Sequence, residues 1–151
     1  MQKKKTTEGT AKSADACLLI VDDHAQFGAA LVTLSQRGGF IAASVRSGQD
    51  ALDYMLEQPV NIVFTDIFMP DGEGLELLHD LFRRRFHPQV VAMTEGEATG
   101  MPDMRPAAAL TGAERTIRKP FEPGLLFKLV REMIGESETS SRMDQSCVFF
   151  V

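Results

Sequence analysis

Short runs of strand-forming residues alternate with stretches of helical periodicity along most of this chain, and that alternation limits the fold more than any other feature. "CLLIV" (17–21), "FIAASV" (40–45), "VNIVFT" (60–65), "QVVAM" (89–93) and "RTIRK" (115–119) each read as a strand. Phe27, Ala30, Leu31 and Leu34 follow the first at i, i+3, i+4 and i+7, one face of a helix that Gly38-Gly39 stops. Ser47 is placed to cap a second helix, with Ala51, Leu52, Met55 and Leu56 on its apolar face. Leu75, Leu78 and Phe82, flanked by Leu77 and Leu81, mark a third. Leu125, Leu126, Leu129, Val130, Met133 and Ile134 give the cleanest helical pattern in the chain. Strands alternating with helices predict right-handed crossovers and a parallel sheet covered on both faces.

The 151 residues have room for one domain with a real core and short tails. Residues 1–14 are expected to form a disordered leader, 15–135 the folded domain, and 136–151 a flexible tail ending in "CVFFV". Charged residues at 25% and apolar ones at 44% are ordinary for a soluble globular chain. No run approaches the roughly 18 apolar residues of a membrane span, and none follows the basic N-terminus as in a signal peptide. The expectation is therefore a cytoplasmic protein. A net charge of −5 argues against direct nucleic-acid contact. The basic cluster Arg83-Arg84-Arg85 reads as the solvated end of the third helix. Cys17 and Cys147 make neither a disulfide framework nor a metal site, and Cys17 reads as a buried free thiol. His24, His79 and His87 read as surface residues, with His24 beside an acidic pair.

In an open parallel sheet, ligands bind at the carboxyl ends of the strands near the point where strand order reverses. Here the first strand ends in Asp22-Asp23, the third in Asp66, the fourth in Thr94 and the fifth in Lys119-Pro120. The second, ending Val45-Arg46-Ser47, offers nothing comparable. With the order 2-1-3-4-5, the four polar-ended strands are neighbours and Asp66 sits in the middle of a pocket. Each residue alone has an ordinary reading: caps for the aspartates before a helix, a turn former for Asp66, a local backbone bond for Thr94. Four such residues at four strand ends form a coherent chemical set. Three carboxylates in one cleft repel one another unless a cation or proton intervenes. Hard oxygen ligands with open water positions suit Mg²⁺. A carboxylate beside it can act as a nucleophile toward phosphorus, with Lys119 and Thr94 opposite as cation and hydrogen-bond donor.

The motifs "LLIVDDH", "DIFMPDGEG", "VVAMT" and "RKPF", in order and suitably spaced, resemble the receiver domain of two-component response regulators over about residues 15 to 135. The resemblance implies a flavodoxin-like α/β fold and Asp66 as phosphoryl acceptor from a histidine kinase or phosphotransfer protein. It also implies direct Mg²⁺ binding by Asp23, partly water-mediated binding by Asp22, and the Phe68 carbonyl as a further ligand. Lys119 then pairs with the phosphoryl group through a cis peptide to Pro120.

Three departures bear on output. The position three before the lysine is normally aromatic and here is Thr116; the residue after Thr94 is normally small and here is Glu95. Gly96, Gly100, Pro102 and Pro106 also disfavour a regular helix soon after the fourth strand. Segment 95–105 is therefore expected to open readily and to be ordered by phosphorylation. No output domain follows the last helix, so the expectation is a stand-alone receiver that signals to a downstream protein by contact. One alternative is a receiver-like interaction module with vestigial phosphorylation, which Glu95 and Thr116 favour. The other is a haloacid dehalogenase-type phosphatase, disfavoured because the first strand ends "DDH" and not DxD.

Overall fold

Branched and aromatic side chains fill the segments that become the central strands. The computed structural model describes residues 16–69, 73–83, 87–95 and 112–140. The five strands are β1 (Cys17–Val21), β2 (Ile41–Val45), β3 (Ile62–Asp66), β4 (Gln89–Glu95) and β5 (Arg115–Lys119). The described helices are α1 (Ala25–Arg37), α2 (Gly48–Glu57), α3 (Glu73–Arg83) and α4 (Pro123–Ser140). The sheet is wholly parallel, in the expected order β2-β1-β3-β4-β5. β3 is buried at every position, as a central strand covered on both faces must be.

Period-two alternation divides the core into two layers. Leu19, Val21, Val63, Val90 and Ala92 point to one side, against Ala51, Leu52 and Met55 of α2 and Leu77 and Leu81 of α3. Leu18, Ile20, Ile62, Phe64, Val91, Met93 and Ile117 point to the other, against Leu31 of α1 and Leu126, Leu129, Val130 and Met133 of α4. Full burial of a side chain such as Phe64 stabilises by about 1.5–3 kcal/mol, so these two layers supply the main drive to fold. No helix is long and apolar enough to cross a membrane among the described residues.

Local signals behave largely as expected. The Ser47 hydroxyl accepts the Asp50 N–H at 3.1 Å, a cap of about 1 kcal/mol. The chain leaves α1 through Gly39 at φ +88°, a left-handed conformation that glycine adopts without strain. Differences arise at helix faces and ends. Leu56 is 68% exposed, because it lies beside the buried stripe of α2 that runs through Gly48, Ala51, Leu52 and Met55. In α3, Gly74, Leu77 and Leu81 are buried, and the side chains of Leu75, Leu78 and Phe82 lie outside the described residues. Ala30 of α1 is exposed, and Cys17 is of intermediate burial. α4 continues to Ser140, so the boundary expected at 135 falls inside it. Gly135 in a helix interior costs about 1 kcal/mol relative to alanine, which does not end this helix. The leader 1–14, segment 96–105, Arg84-Arg85 and Cys147 lie outside the described residues.

Gly74 is where the first turn of α3 meets the strand end that carries Asp66. A Cβ there would overlap the Asp66 carbonyl oxygen and lie 2.6 Å from Ile67 Cα, both backbone atoms that cannot swing aside. Gly124, in the first turn of α4, has nothing within 4 Å of its would-be Cβ. Gly74→Ala is therefore expected to destabilise by about 1–3 kcal/mol in urea unfolding, by forcing α3 off the strand end. Gly124→Ala should be neutral or slightly stabilising through the unfolded chain. Equal effects of the two substitutions would contradict this packing.

Candidate active site

Parallel strands bring their carboxyl ends to one edge of the sheet, and the polar residues gather there. Val21 is in register with Thr65, so the residues that follow, Asp22 and Asp66, stand side by side. Both are buried, at 1% and 0% exposure. Lys119, the last residue of β5, reaches over β4 and donates from Nζ to Asp22 Oδ2 at 2.6 Å and Asp66 Oδ2 at 3.2 Å. The Lys119–Pro120 peptide is cis, as the resemblance implies. The other Asp66 oxygen, Oδ1, accepts the Phe68 backbone N–H at 2.8 Å. Asp66 thus has one carboxylate oxygen fixed by backbone and the other facing the ammonium.

Burial is the largest influence on Asp66 and pushes its carboxyl above the usual carboxylate range, with the Asp22 charge acting the same way. Lys119 and the Phe68 N–H oppose that shift without cancelling it. The net result is a carboxylate whose charge is destabilised by its own fold.

Asp22, Asp23, His24 and Asp66 each offer a ligand atom, all within 4.8 Å of one another. Asp23 is partly exposed, yet its Oδ1 is buried and accepts no hydrogen bond among the described residues. His24 Nδ1 lies 3.2 Å from that oxygen, without hydrogen-bond alignment, and 3.2 Å from Asp22 Oδ1. A buried anionic oxygen left without a donor fits a site built to hold a cation.

Thr94 is buried at the end of β4, where its hydroxyl donates to the Ile117 carbonyl at 3.4 Å. Asp66 is in register with Met93, so Thr94 stands one step beyond it on the neighbouring strand. Glu95 closes β4 in register with Lys119, and Thr116 is half-buried within β5 in register with Ala92. The geometry thus joins Asp22, Asp23, Asp66 and Lys119 directly, with Thr94 and Phe68 at the margins.

Arg46 and Phe27 escape a reading of the sequence, and His24 reaches the acidic pair beside which it sits. His24 is 66% exposed, as its surface position predicts, but its ring bends back onto the acidic pair. Arg46 donates to the Asp23 carbonyl at 3.4 Å, although β2 offers no residue of its own to the pocket. Phe27 looks like an ordinary apolar residue of α1, yet its ring lies 4.3 Å from Lys119 Nζ. Only the position of Phe27, one helical turn after the acidic pair, hints at this.

Comparison with known proteins agrees with the architecture. The "VanRc" regulatory protein of Enterococcus gallinarum is 26% identical over 107 residues, covering 70% of this chain and 44% of that protein. The transcriptional regulatory protein FixJ of Azorhizobium caulinodans is 28% identical over 127 residues, covering 84% of this chain and 59% of that one. The chain therefore spans about half the length of these curated relatives. A CheY-like response regulator receiver domain from Methanospirillum hungatei superposes with a TM-score of 0.73 at 24% identity, covering 83% of this chain and 98% of the other. At that identity the likeness speaks for the fold. A response regulator receiver protein from Burkholderia phymatum gives a TM-score of 0.68 at 28% identity, covering 80% and 95%. The family profile of the response regulator receiver domain matches residues 18–131, most of the chain. This protein belongs to the response regulator receiver domains of two-component signalling.

Proposed function

We propose that Asp66 accepts a phosphoryl group from a histidine kinase or phosphotransfer protein, and that the domain passes the signal on by protein contact. The observation that carries this is the buried Asp66 carboxylate at the end of β3, flanked by Lys119 on one side and the Asp22–Asp23 pair on the other. In the step proposed, an Asp66 oxygen forms a bond to phosphorus as the P–N bond of a phosphohistidine breaks, and the imidazole leaves with the electron pair of that bond.

The donor set of Asp22, Asp23, Asp66 and the Phe68 carbonyl is hard oxygen throughout, and a buried Asp23 Oδ1 that accepts no hydrogen bond among the described residues fits a bound Mg²⁺. When bound, Mg²⁺ supplies charge neutralisation for the phosphoryl oxygens. The remaining work belongs to the chain. The Phe68 N–H fixes one Asp66 oxygen and so aims the carboxylate. Lys119 supplies a mobile ammonium that can turn from Asp22 to the new anion. Thr94 gains a better acceptor than the Ile117 carbonyl at 3.4 Å once a phosphoryl oxygen is near. A negative net charge supports protein surfaces over nucleic acid as the direct partner. Glu95 in register with Lys119 supports a second reading, an interaction module in which phosphorylation is vestigial.

Intact mass after treatment with acetyl phosphate and Mg²⁺ separates the two. Wild type should gain one phosphoryl group, and Asp66→Asn should gain none. A folded wild type that stays unmodified would favour the second reading; equal gain in both proteins would move the acceptor elsewhere.

Magnesium should also act on stability. A ten-fold excess over Kd is worth about 1.4 kcal/mol of folding free energy, a rise of several degrees in Tm for a domain of this size. Asp23→Asn should lose most of that rise. A melting temperature indifferent to millimolar Mg²⁺ would contradict the assignment.

The raised pKa of Asp66 fixes a sign for metal-free stability. Between the ordinary carboxylate value and the folded one, the native state holds a proton that the unfolded chain has released. The Asp66 contribution is therefore full below the unfolded pKa and is lost as pH rises through the folded one. Without divalent ions, Asp66→Asn should melt above wild type at pH 7, and the difference should shrink on acidification. A variant less stable than wild type at pH 7 would contradict this sign.

A further inference from the structure

We propose that Phe27 is a positioning residue for Lys119, its ring holding the ammonium at the depth where it meets a phosphoryl group on Asp66. The inference rests on the acceptor role proposed above for Asp66.

Lysine is a compact charge on a flexible stem, and two carboxylates compete for this one, Asp22 at 2.6 Å and Asp66 at 3.2 Å. Left to those contacts alone, it would follow the shorter one. The third contact is of a different kind: Nζ lies 4.3 Å from the centroid of the Phe27 ring, well inside the range of cation–π attraction. The Lys119 side chain is only 13% exposed, so water weakens that attraction little.

The ring is itself braced. Phe121 meets it in a T-shaped contact, with centroids 6.3 Å apart and planes at 86°. Phe121 follows Lys119 by two residues, so the segment that carries the ammonium also carries the ring that steadies its platform. The chemical consequence follows from what changes when the site is used. Cation binding to the carboxylates and phosphorylation of Asp66 both alter the charges that Asp22 and Asp66 present to Lys119. The Phe27 ring is neutral and unaltered by either event. It keeps Nζ in the pocket while the charged contacts exchange, and so lowers the cost of turning the lysine toward phosphoryl oxygens.

A plain packing role predicts that any apolar side chain of similar size would serve. The two roles are separated by titrating beryllofluoride, a phosphoryl mimic, into the full chain with Mg²⁺ present, followed by calorimetry. Phe27→Leu keeps bulk and removes the π face; Phe27→Tyr keeps the face. We expect roughly ten-fold weaker beryllofluoride binding for Phe27→Leu and binding within about two-fold of wild type for Phe27→Tyr. Thermal melting of each variant runs alongside, and Phe27→Met replaces Phe27→Leu should the latter not fold. Binding by Phe27→Leu equal to wild type, or by Phe27→Tyr as weak as Phe27→Leu, overturns the proposal. Absence of binding by wild type overturns the acceptor role of Asp66 and this proposal with it.

Discussion

Two buried carboxylates, side by side at the ends of adjacent parallel strands, set the terms for the rest of the molecule. Asp22 and Asp66 are almost fully removed from water, where an unbalanced negative charge is costly. Their balance comes from Lys119, which is far away in sequence and reaches them only because β5 pairs with β4 in the observed register. The burial of Ile117 and the pairing of β5 with β4 bring that ammonium to the pocket. The core makes the arrangement affordable: two apolar layers stabilise a sheet whose carboxyl edge is electrostatically strained.

That strain explains a division of labour among the pocket residues. Asp66 is anchored by the Phe68 N–H, so its orientation does not depend on a cation. Asp23, by contrast, keeps a buried oxygen without a hydrogen bond among the described residues, and His24 approaches it without closing one. One carboxylate is aimed and the other left unsatisfied, a distribution suited to a site completed by something from outside. Thr94 and Lys119 hold provisional contacts, a long bond to a carbonyl and a shared ion pair, which another anion can replace.

Much of this was legible in the sequence, because the signals were local and repeated. Apolar runs of strand length separated by helical periodicity fixed the layers, and polar residues at four strand ends placed the pocket. The rest depends on directions that a linear pattern does not carry. Leu56 shares the helical spacing of Ala51, Leu52 and Met55, yet it turns to solvent while Met55 beside it is buried. In α3 a glycine marks the buried line, since only Gly74 allows the helix to touch the β3 end. A hydrophobicity count looks for large side chains and passes over that position. Arg46, His24 and Phe27 act through the direction of a side chain across space, which neither spacing nor composition encodes.

The order of the strands also has a meaning in time. Asp22 and Asp66 lie 97 and 53 positions before Lys119. At a synthesis rate of about 5–20 residues per second, the lysine leaves the peptidyl centre several seconds after Asp66. Until then a nascent chain can pair β1, β2 and β3, but the ammonium that meets Asp22 and Asp66 in the folded domain has not been made. The ion pairs of the charged edge therefore form only once β5 has joined the sheet. The strand that finishes the sheet is thus also the one that carries the counter-ion for its acidic edge.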